Sequence, residues 1–453
     1  MKKRRPAIAA GESQRADLLV LGGAILTLDA ADTIVASGAV AVRDGRIAAV
    51  GPRRTIERGF RARRKIEARG HLVLPGLVNA HTHVAMTLLR GVRDDRDLMT
   101  WLTKYIFPLE ARFVSPAFVR CGALLACWEM IASGTTAFAD GYLYADEVAR
   151  AADAAGLRAF PGQGIFDGAT PDASDAAAGL ARAERLLARW RGHARVTPAL
   201  FPHAAYTAGP ETLRKAQRLA ERYDAPLLTH LAESAGEVAA VRERYGTTPV
   251  RHLAALGVLD ARVTAAHCVV VDEEEIALLA RSGAGVAHCA ESNMKLASGV
   301  APVARLLAAG VPVGLGTDGA ASNNDLDLIG EMGSVARLHK IAALDPTAAP
   351  ARTVLRMATM GSAAALHRER ELGSLEAGKR ADLIVVETSA PNAVPLYDPY
   401  AYLVYAARAD AVRTVVVEGR VLMEKRRLET LDTEKIRRDA ERFGRRIAAA
   451  LPE

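Results

Sequence analysis

The chain has 453 residues, of which 50% are hydrophobic and 25% charged, which is typical of a globular protein with one large and one smaller domain. The formal charge of +7 does not predict a nucleic-acid partner, because the basic stretches 2–5, 61–65 and 435–446 contain no interleaved aromatic stripe. No apolar run is long enough to span a bilayer, and the basic start lacks the apolar stretch of a secretory signal. We therefore expect a cytoplasmic protein without a membrane partner.

The cysteines do not form a recognisable metal or disulfide pattern. None of the four shows Cys-x-x-Cys spacing, the usual sign of a structural zinc site or a redox motif. We expect free thiols, as in a reducing compartment, with Cys268 and Cys289 buried.

The two ends of the chain are rich in short β segments. Residues 17–27, 38–43 and 46–51 form the first group, with an Asp44-Gly45 turn before the third segment. Residues 381–387 and 412–421 repeat this character near the other end. The pattern predicts one small β-sandwich domain assembled from residues 1–74 and 373–453.

The middle of the chain, residues 75–372, alternates apolar strand-like runs with helical stretches such as 116–133 and 211–223. Eight such units predict an α/β fold, a (β/α)8 TIM barrel, in which the chemistry gathers at the carboxyl ends of the strands. The predicted strands are residues 77–83, 135–140, 157–163, 196–203, 226–230, 263–267, 285–288 and 311–318.

The first of these strands ends in two histidines, His81 and His83, separated by one residue. Residues i and i+2 of a strand point to the same face, so both imidazoles can reach one metal ion. An isolated pair of this kind is more often two core or surface histidines. Here further candidates follow at later strand ends, which favours a metal site.

A catalytic zinc needs a few nitrogen or oxygen ligands and an open position for water. The later candidates are His230 from the fifth strand, His267 from the sixth and Asp318 from the eighth. His267 is either a further ligand or a donor to the metal-bound water. The predicted ligand set is therefore three imidazoles and one carboxylate, from His81, His83, His230 and Asp318.

One metal per chain is favoured over two. Two-metal barrels of this kind need a bridging group, often a carbamylated lysine at the end of the fourth strand. The only lysines between His83 and His230 are Lys104 and Lys215, and both lie in helix-like stretches. The fourth strand ends in His203 and not in a lysine.

Glu233 lies three residues after His230 and has two interpretations. An acid at the start of a helix is mildly stabilising and needs no other role. Beside a metal-bound water, the same carboxylate can take a proton and deliver it to a substrate. Because His230 is a predicted ligand, we favour the catalytic interpretation.

Residues 314–319 formally match the Gly-x-Gly-x-x-Gly fingerprint of dinucleotide-binding proteins. That fingerprint belongs in a βαβ unit, whereas this stretch ends the last strand of the series. Asp318 would also place a negative charge against a pyrophosphate. We therefore interpret Asp318 as a metal ligand.

Several motifs resemble the amidohydrolase superfamily and, within it, the 5′-methylthioadenosine/S-adenosylhomocysteine deaminases. The resemblance runs from about residue 17 to about residue 428. The motifs that carry it are residues 74–83, 86–91, 266–268, 292–299 and 316–324.

The resemblance implies a barrel with a β-sandwich domain, one zinc ion per chain (another divalent metal such as Fe2+ is compatible), and hydrolytic removal of ammonia from adenine. It implies zinc ligands at His81, His83, His230 and Asp318. Glu233 would carry a proton to the ring nitrogen beside the attacked carbon, His267 would orient the hydroxide, and Asp318 would accept its proton. Substrate contacts are implied for Glu110, at the ribose hydroxyls, and for His203 and Glu233, at the purine.

Three positions depart from the family's usual pattern. Ala205 and Ala290 stand where prolines are usual, and loss of a fixed φ predicts looser loops. Gln163 stands in a stretch where some members have arginines for the homocysteine carboxylate. This favours 5′-methylthioadenosine or adenosine over S-adenosylhomocysteine.

The sequence thus predicts a zinc-dependent deaminase of 5′-methylthioadenosine, S-adenosylhomocysteine or adenosine, which converts the adenine to hypoxanthine and releases ammonia. The nearest alternative is an aminohydrolase or chlorohydrolase of the same fold acting on guanine, a pterin or a triazine. A catalytically silent barrel and a dinucleotide-dependent oxidoreductase are weaker alternatives. We expect a small-molecule purine nucleoside substrate, no nucleic acid, and a homo-oligomer.

Overall fold

The computed structural model describes residues 13–96 and 98–451. The predicted basic stretch at residues 2–5 lies outside these residues. Among the described helices, no single one is long and apolar enough to cross a membrane; one pair, 99–113 with 116–133, passes that test together but is bent by 112°.

Nineteen strands form three sheets within the described residues. In chain order they are β1 Gln14–Leu21, β2 Ala24–Leu26, β3 Ile34–Val35, β4 Gly38–Arg43, β5 Arg46–Pro52, β6 Phe60–Glu67, β7 His71–Pro75, β8 Leu77–Thr82, β9 Thr135–Tyr142, β10 Arg158–Ile165, β11 Ala199–Pro202, β12 Leu227–Leu231, β13 Val263–His267, β14 Gly285–His288, β15 Val313–Leu315, β16 Leu383–Glu387, β17 Val412–Val417, β18 Arg420–Glu424 and β19 Arg427–Leu428.

The helices lie mostly between the strands of the central part of the chain. They are α1 Arg53–Gly59, α2 Leu98–Trp101, α3 Phe107–Phe113, α4 Pro116–Ser133, α5 Ala145–Ala155, α6 Ala176–Trp190, α7 Pro210–Tyr223, α8 Ala235–Tyr245, α9 Pro249–Ala255, α10 Glu273–Ser282, α11 Ala290–Lys295, α12 Val303–Ala308, α13 Leu328–Ala343, α14 Ala351–Arg356, α15 Ser362–Ala365, α16 Pro399–Ala401 and α17 Thr433–Ala448. Short 3-10 turns cover Val84–Leu89, Pro391–Ala393 and Ala409–Ala411, and π-helical turns cover Leu102–Ile106, Met357–Gly361 and Tyr402–Ala406.

Strands β8 to β15 form one parallel sheet in sequence order. The sheet closes between its first and last strands, where Thr82 bridges Asp318 and the Asp318 amide donates to the His81 carbonyl at 3.0 Å. The predicted (β/α)8 barrel is confirmed. Its interior is filled by apolar side chains such as Phe160, Phe201 and Leu228, so the barrel is packed below the site.

Local sequence signals explain where the barrel helices begin and end. Ser115 caps α4 by accepting the Phe118 amide at 3.3 Å, and Gly134 ends that helix at φ 94°. Asp272 and Glu275 form a reciprocal capping box at the start of α10. Such signals fix where each helix begins or ends between two parallel strands.

The β domain consists of two sheets drawn from both ends of the chain. The first has the order β5-β4-β1-β6, and the second has the order β19-β18-β17-β16-β7-β2-β3. Leu18 and Val40 of the first sheet share a buried cluster with Leu383 and Val416 of the second. The sandwich from both chain ends is therefore confirmed, whereas the domain limits at residues 74 and 373 stay a prediction.

Contacts with the barrel hold the terminal segments of the chain against it. Arg158, at the amino end of β10, pairs with Asp382 just before β16 at 3.0 Å, and both side chains are buried. The C-terminal helix α17 packs on barrel helix α4, with the rings of Phe118 and Phe443 5.6 Å apart. Residues near the C-terminus thus cover the barrel as well as completing the β domain.

Candidate metal centre and active site

The carboxyl ends of the barrel strands bring the five predicted metal-site residues together. His81 lies in β8, and His83 follows that strand directly. His230 lies in β12, His267 ends β13, and Asp318 follows β15. Because β8 and β15 are neighbours in the closed barrel, residues far apart in the chain face one another here.

One ligand atom from each of His81, His230, His267 and Asp318 lies within 4.8 Å of the other three, and all four residues are buried. His83 belongs to the same cluster, since its Nε2 lies 3.1 Å from Asp318 Oδ1 and 3.2 Å from His230 Nε2. The predicted ligands and His267 therefore surround a common point.

The unpartnered atoms of this cluster fit a metal ion. His81 Nε2 and Asp318 Oδ1 are buried without a hydrogen-bond partner among the described residues, although buried polar atoms are nearly always paired. Two imidazole nitrogens, from His83 and His230, also face each other. A shared cation satisfies all of these acceptors at once.

Neighbouring groups fix which nitrogen of two imidazoles is free. His83 Nδ1 lies 2.6 Å from the carbonyl of Gly141, which can only accept, so Nδ1 donates and Nε2 is the nitrogen directed at the cluster. His267 Nδ1 lies 2.9 Å from Asn293 Oδ1, which leaves Nε2 directed at the cluster. Such contacts are typical of histidines that bind metals.

Asp318 is held from its other side. Its Oδ2 accepts from the hydroxyls of Ser292 at 2.7 Å and Ser322 at 2.9 Å, and its backbone adopts φ 60°. Oδ1 is thereby left for the cluster. Gly316, two residues earlier, has no room for a side chain, because a Cβ there would lie 2.9 Å from His81 Cβ.

Burial and mutual contacts shift the pKa values of the cluster. Burial lowers the pKa of His81 to about 4. Burial also disfavours the charged form of His83, but the contact with Asp318 outweighs it and raises that pKa to about 9. Burial by itself would raise the pKa of Asp318. The contacts with His81 and His83 outweigh burial, so the pKa of Asp318 lies well below its usual value. The carboxylate is thus ready to bind a cation, and binding would displace a proton from His83.

The end of the first barrel strand is fixed by a carboxylate for which no role was predicted. Asp140 Oδ1, in β9, accepts from the Val84 amide at 2.6 Å and from the Thr82 hydroxyl at 3.2 Å. These bonds clamp the chain on both sides of His83. The position of Asp140 at a predicted strand end was the one signal that could have revealed it.

Glu233 lies in the turn between β12 and α8, where Ser234 caps the helix. It is 9% exposed, and its Oε2 lies 3.8 Å from His267 Nε2. Its amide donates to Glu237 Oε2 at 2.7 Å, which fixes the turn. Burial raises the pKa of the Glu233 carboxyl. Glu233 is therefore not an exposed acid that only stabilises a helix start.

A cavity of about 620 Å³ opens above the cluster, a size typical of sites for small ligands. His83, His230, His267 and Asp318 line it at the cluster. The remainder of the lining includes Glu110, Tyr142, Phe166, His203, Tyr206 and Glu233.

Glu110, in α3, is hydrogen-bonded by the Tyr142 hydroxyl inside this cavity. Burial raises the pKa of Glu110 to about 7, although the hydrogen bond from Tyr142 opposes the shift. Tyr142 was not singled out from the sequence. Its hydroxyl leaves the second carboxyl oxygen of Glu110 for other partners.

His203 follows β11 and also lines the cavity. Its Nδ1 lies 2.8 Å from the Thr207 hydroxyl oxygen, and its ring stacks on Phe166 with centroids 4.7 Å apart. Burial lowers its pKa to about 3. A neutral imidazole with its ring plane fixed is therefore presented to the cavity.

The model of the amidohydrolase family matches residues 72–422. The chain belongs to the amidohydrolase family. The match includes all eight barrel strands and every predicted site residue.

Individual amidohydrolases resemble the chain along most of its length. The 5-methylthioadenosine/S-adenosylhomocysteine deaminase of Syntrophobacter fumaroxidans is 50% identical over 94% of this chain and 97% of the relative. The crystal structure of an adenosine deaminase from Xanthomonas campestris with bound zinc has a TM-score of 0.95 and 39% identity, covering 97% of this chain and 100% of that one. An atrazine chlorohydrolase from Arthrobacter aurescens, complexed with zinc, has a TM-score of 0.86 and 28% identity, covering 94% and 100%.

The structure shows the contacts of two residues that depart from the usual pattern of these amidohydrolases. Gln163 does not point at the cavity: its side-chain nitrogen donates to Asp172 Oδ2 at 2.9 Å, and its oxygen accepts the Ala145 amide at 3.3 Å. Gln163 therefore holds a loop in place and does not contact a 5′ substituent directly. Ala290 begins α11, and its amide donates to Glu331 Oε1 at 2.6 Å, a bond that proline could not make.

The glycine-rich stretch at residues 314–319 does not open a helix in this amidohydrolase. β15 ends at Leu315, and the next helix, α13, begins at Leu328. A dinucleotide fingerprint requires a helix directly after the strand, so this stretch serves the metal cluster instead.

Proposed function

We propose that the chain is a zinc-dependent aminohydrolase that removes ammonia from the adenine ring of 5′-methylthioadenosine, S-adenosylhomocysteine or adenosine. The single observation that carries the proposal is a cavity with the histidine–aspartate cluster and Glu233 together on its wall and the Glu110–Tyr142 pair also facing it. In the overall reaction, the oxygen of water replaces the amino nitrogen on the ring carbon, and that nitrogen leaves as ammonia.

We propose that His81, His83, His230 and Asp318 hold one zinc ion, with His267 beside it. The unpartnered acceptors of the cluster support this set, as does the bound zinc in the Xanthomonas campestris structure. A zinc ion bound here would supply the Lewis acidity that makes water a nucleophile at neutral pH.

The proton transfers fall to three side chains. Glu233, buried and 3.8 Å from His267 Nε2, carries a proton to the ring nitrogen beside the attacked carbon. His267, fixed by Asn293, orients the attacking water. Asp318, whose carboxylate lies 3.1 Å from His83 Nε2, accepts a proton from that water.

The substrate contacts follow from the rest of the cavity wall. The carboxyl group of Glu110 can accept from both ribose hydroxyls, and charge-assisted hydrogen bonds of this kind are strong. His203, with its ring fixed by Phe166, faces the purine, together with Glu233. A free base or a triazine offers no ribose to Glu110.

The test is ammonia release from a panel of adenosine, 5′-methylthioadenosine, S-adenosylhomocysteine, adenine, guanine and a triazine. We expect the three adenine nucleosides to have kcat/KM at least about tenfold above the others, as loss of a polar substrate contact predicts. Preference for guanine, adenine or the triazine would replace the nucleoside assignment by the heterocycle alternative. No release from any compound would leave only a binding role.

Two further parts of the proposal concern the setting of the enzyme. We propose a cytoplasmic protein, in keeping with four free and buried cysteines. We also propose a homo-oligomer, and light scattering of the purified chain measures its mass directly. A monomer at all concentrations would remove that part of the proposal.

A further inference from the structure

Glu331 is a fully buried acid in α13 that does not line the cavity described above. Its Oε1 accepts from the backbone amides of Ala290 at 2.6 Å and Glu291 at 3.3 Å. Its Oε2 has no hydrogen-bond partner among the described residues. A buried carboxyl group is costly, so its position calls for a function.

The helix that Glu331 holds is α11, which supplies two of the contacts that orient the metal cluster. Ser292 donates to Asp318 Oδ2 at 2.7 Å, and Asn293 accepts from His267 Nδ1 at 2.9 Å. Ser292 and Asn293 are buried. A small shift of this short helix would therefore move both contacts together.

The start of α11 depends on an external acceptor. The first amides of a helix have no partner within the helix, and Cys289, which precedes α11, makes no side-chain capping bond. Glu331 takes the place of a cap. Proline suits the first helical position because it has no amide hydrogen and has a fixed φ, but here that position is Ala290, whose amide is available.

We propose that Glu331 is a positioning residue of the active site, which holds the start of α11 so that Ser292 and Asn293 meet Asp318 and His267. The inference rests on the proposed function only for its kinetic readout. The protection of the α11 amides against hydrogen exchange can be measured without any substrate.

The charge state of Glu331 makes the conservative substitution informative. Burial raises the pKa of Glu331 well above its usual value, and the nearby Glu291 carboxylate adds to the shift. A neutral carboxyl group and a neutral amide offer the same acceptor oxygen. Glu331→Gln should therefore retain both amide bonds, whereas Glu331→Ala removes them.

The first experiment compares these two variants. For Glu331→Ala we expect kcat to fall roughly 5–150-fold, the effect of leaving buried donors unpaired, with KM changed less than about twofold because the cavity wall is intact. For Glu331→Gln we expect kcat within about threefold of wild type, since the acceptor is kept. Hydrogen exchange of the amides at residues 290–295 should be faster than in wild type for Glu331→Ala and unchanged for Glu331→Gln. This measurement needs no substrate.

Ser334→Ala is the matched control. Ser334 also lies on α13 and also contacts α11, but through the Glu291 side chain at 2.6 Å and not through a backbone amide. We expect normal kcat and normal exchange in α11. Equal losses in Ser334→Ala and Glu331→Ala would mean that general packing between the helices matters, and the proposal would be wrong.

Ala290→Pro provides a second test, because it removes the amide hydrogen that Glu331 accepts. The proline ring would occupy the space of the 2.6 Å contact with Glu331, so the single variant should lose kcat. In the double variant with Glu331→Ala there is room for the ring, and the proline stiffens the helix start. We expect the double variant to be faster than Glu331→Ala; additive losses would overturn the proposal.

Normal exchange at residues 290–295 in Glu331→Ala would refute the positioning role even if the enzyme deaminates nucleosides. Faster exchange without any deaminase activity in the wild type would instead refute the proposed function alone.

Discussion

The two ends of the barrel bury charged groups in different surroundings. At the amino end, Arg158 donates to Asp382 at 3.0 and 3.3 Å and to the Ala194 carbonyl at 3.1 Å. At the carboxyl end, His81 Nε2 and Asp318 Oδ1 are equally buried and have no hydrogen-bond partner among the described residues. Folding alone favours the first arrangement, because an unpaired buried polar atom costs about 1–3 kcal/mol. The second arrangement persists where a ligand supplies the missing partner.

The difference separates stability from activity within one barrel. Changes at the amino end should alter the free energy of unfolding and leave the chemistry intact. Changes at the carboxyl end should alter metal content, turnover or substrate preference.

The largest effect is expected for His83→Ala. Wild-type protein should carry about one metal ion per chain, and the variant should lose both the metal and its activity because one of the four proposed ligands disappears. Metal analysis and ammonia release measure the two quantities. His193→Ala, at a histidine paired with Asp153 outside the cluster, should keep both. Turnover by metal-free protein would refute the metal site.

Glu233→Gln should separate chemistry from metal binding. The amide keeps the shape of the side chain but cannot exchange a proton, so we expect near-normal metal content and a rate lower by roughly 10²–10⁴-fold. Glu243→Gln, on the exposed side of α8, is the control. Loss of metal in Glu233→Gln would identify Glu233 as a ligand, and an unchanged rate would remove its catalytic role.

Arg158→Met tests the amino end. Asp382 would remain buried without its partner, and breaking such a pair costs about 3–5 kcal/mol. Urea unfolding should show this loss, while kcat per folded chain stays normal. Combining Arg158→Met with Asp382→Leu should recover much of the stability, because neither charge is then buried. A large fall in kcat would show that the two ends are coupled.

The pH dependence of stability should report the titration of the half-buried Glu110 at the carboxyl end. Burial raises its pKa to about 7 from a usual value of 4.5, so the folded chain binds this proton more tightly than the unfolded chain. The stabilisation is complete below pH 4.5 and is lost as the pH rises through 7. Its upper limit is about 3 kcal/mol, and less where cavity water reaches the group.

The measurement compares urea unfolding of metal-stripped wild type and Glu110→Gln at pH 5 and pH 7.5. The variant should gain stability relative to wild type at the higher pH. Parallel changes in both proteins would show that Glu110 titrates normally.

The smallest effect is expected for substrate selection by Glu110. Glu110→Ala should lower kcat/KM for 5′-methylthioadenosine by roughly 10–150-fold, the value of about 1.5–3 kcal/mol for hydrogen bonds to a charged group. The 2′-deoxy substrate should suffer less, because one of the two hydroxyls is already absent. Equal losses for both substrates would mean that Glu110 does not bind the ribose.

The sequence predicted the barrel well because its signals are local. Residues 77–83 and 263–267 were expected as strands and form β8 and β13, since apolar runs ending in polar residues mark strand ends. The last strand was expected over 311–318 but is only Val313–Leu315. Its final residues leave the strand geometry to present Asp318 at φ 60°, which no apolar pattern encodes.

Other features of the site were invisible to local patterns. Asp140, at a predicted strand end, and Tyr142, two residues beyond it, had nothing to show which partners they meet. Gln163 stands in a stretch where some members of the family have arginines, but its side chain holds a loop. Glu331 resembled any other acid of an amphipathic helix. In each case the partner lies on a different element, so its identity depends on how the elements pack.

By itself, the sequence determined the alternation of strands and helices, the capping signals, and the placement of His81 and His83 together at the end of a strand. These depend on backbone geometry over a few residues. Only the tertiary structure decided that Asp318 meets both histidines, that Asn293 selects the free nitrogen of His267, and that burial shifts the pKa of Glu110. Such properties arise from barrel closure and from exclusion of water, which join residues that local sequence cannot relate.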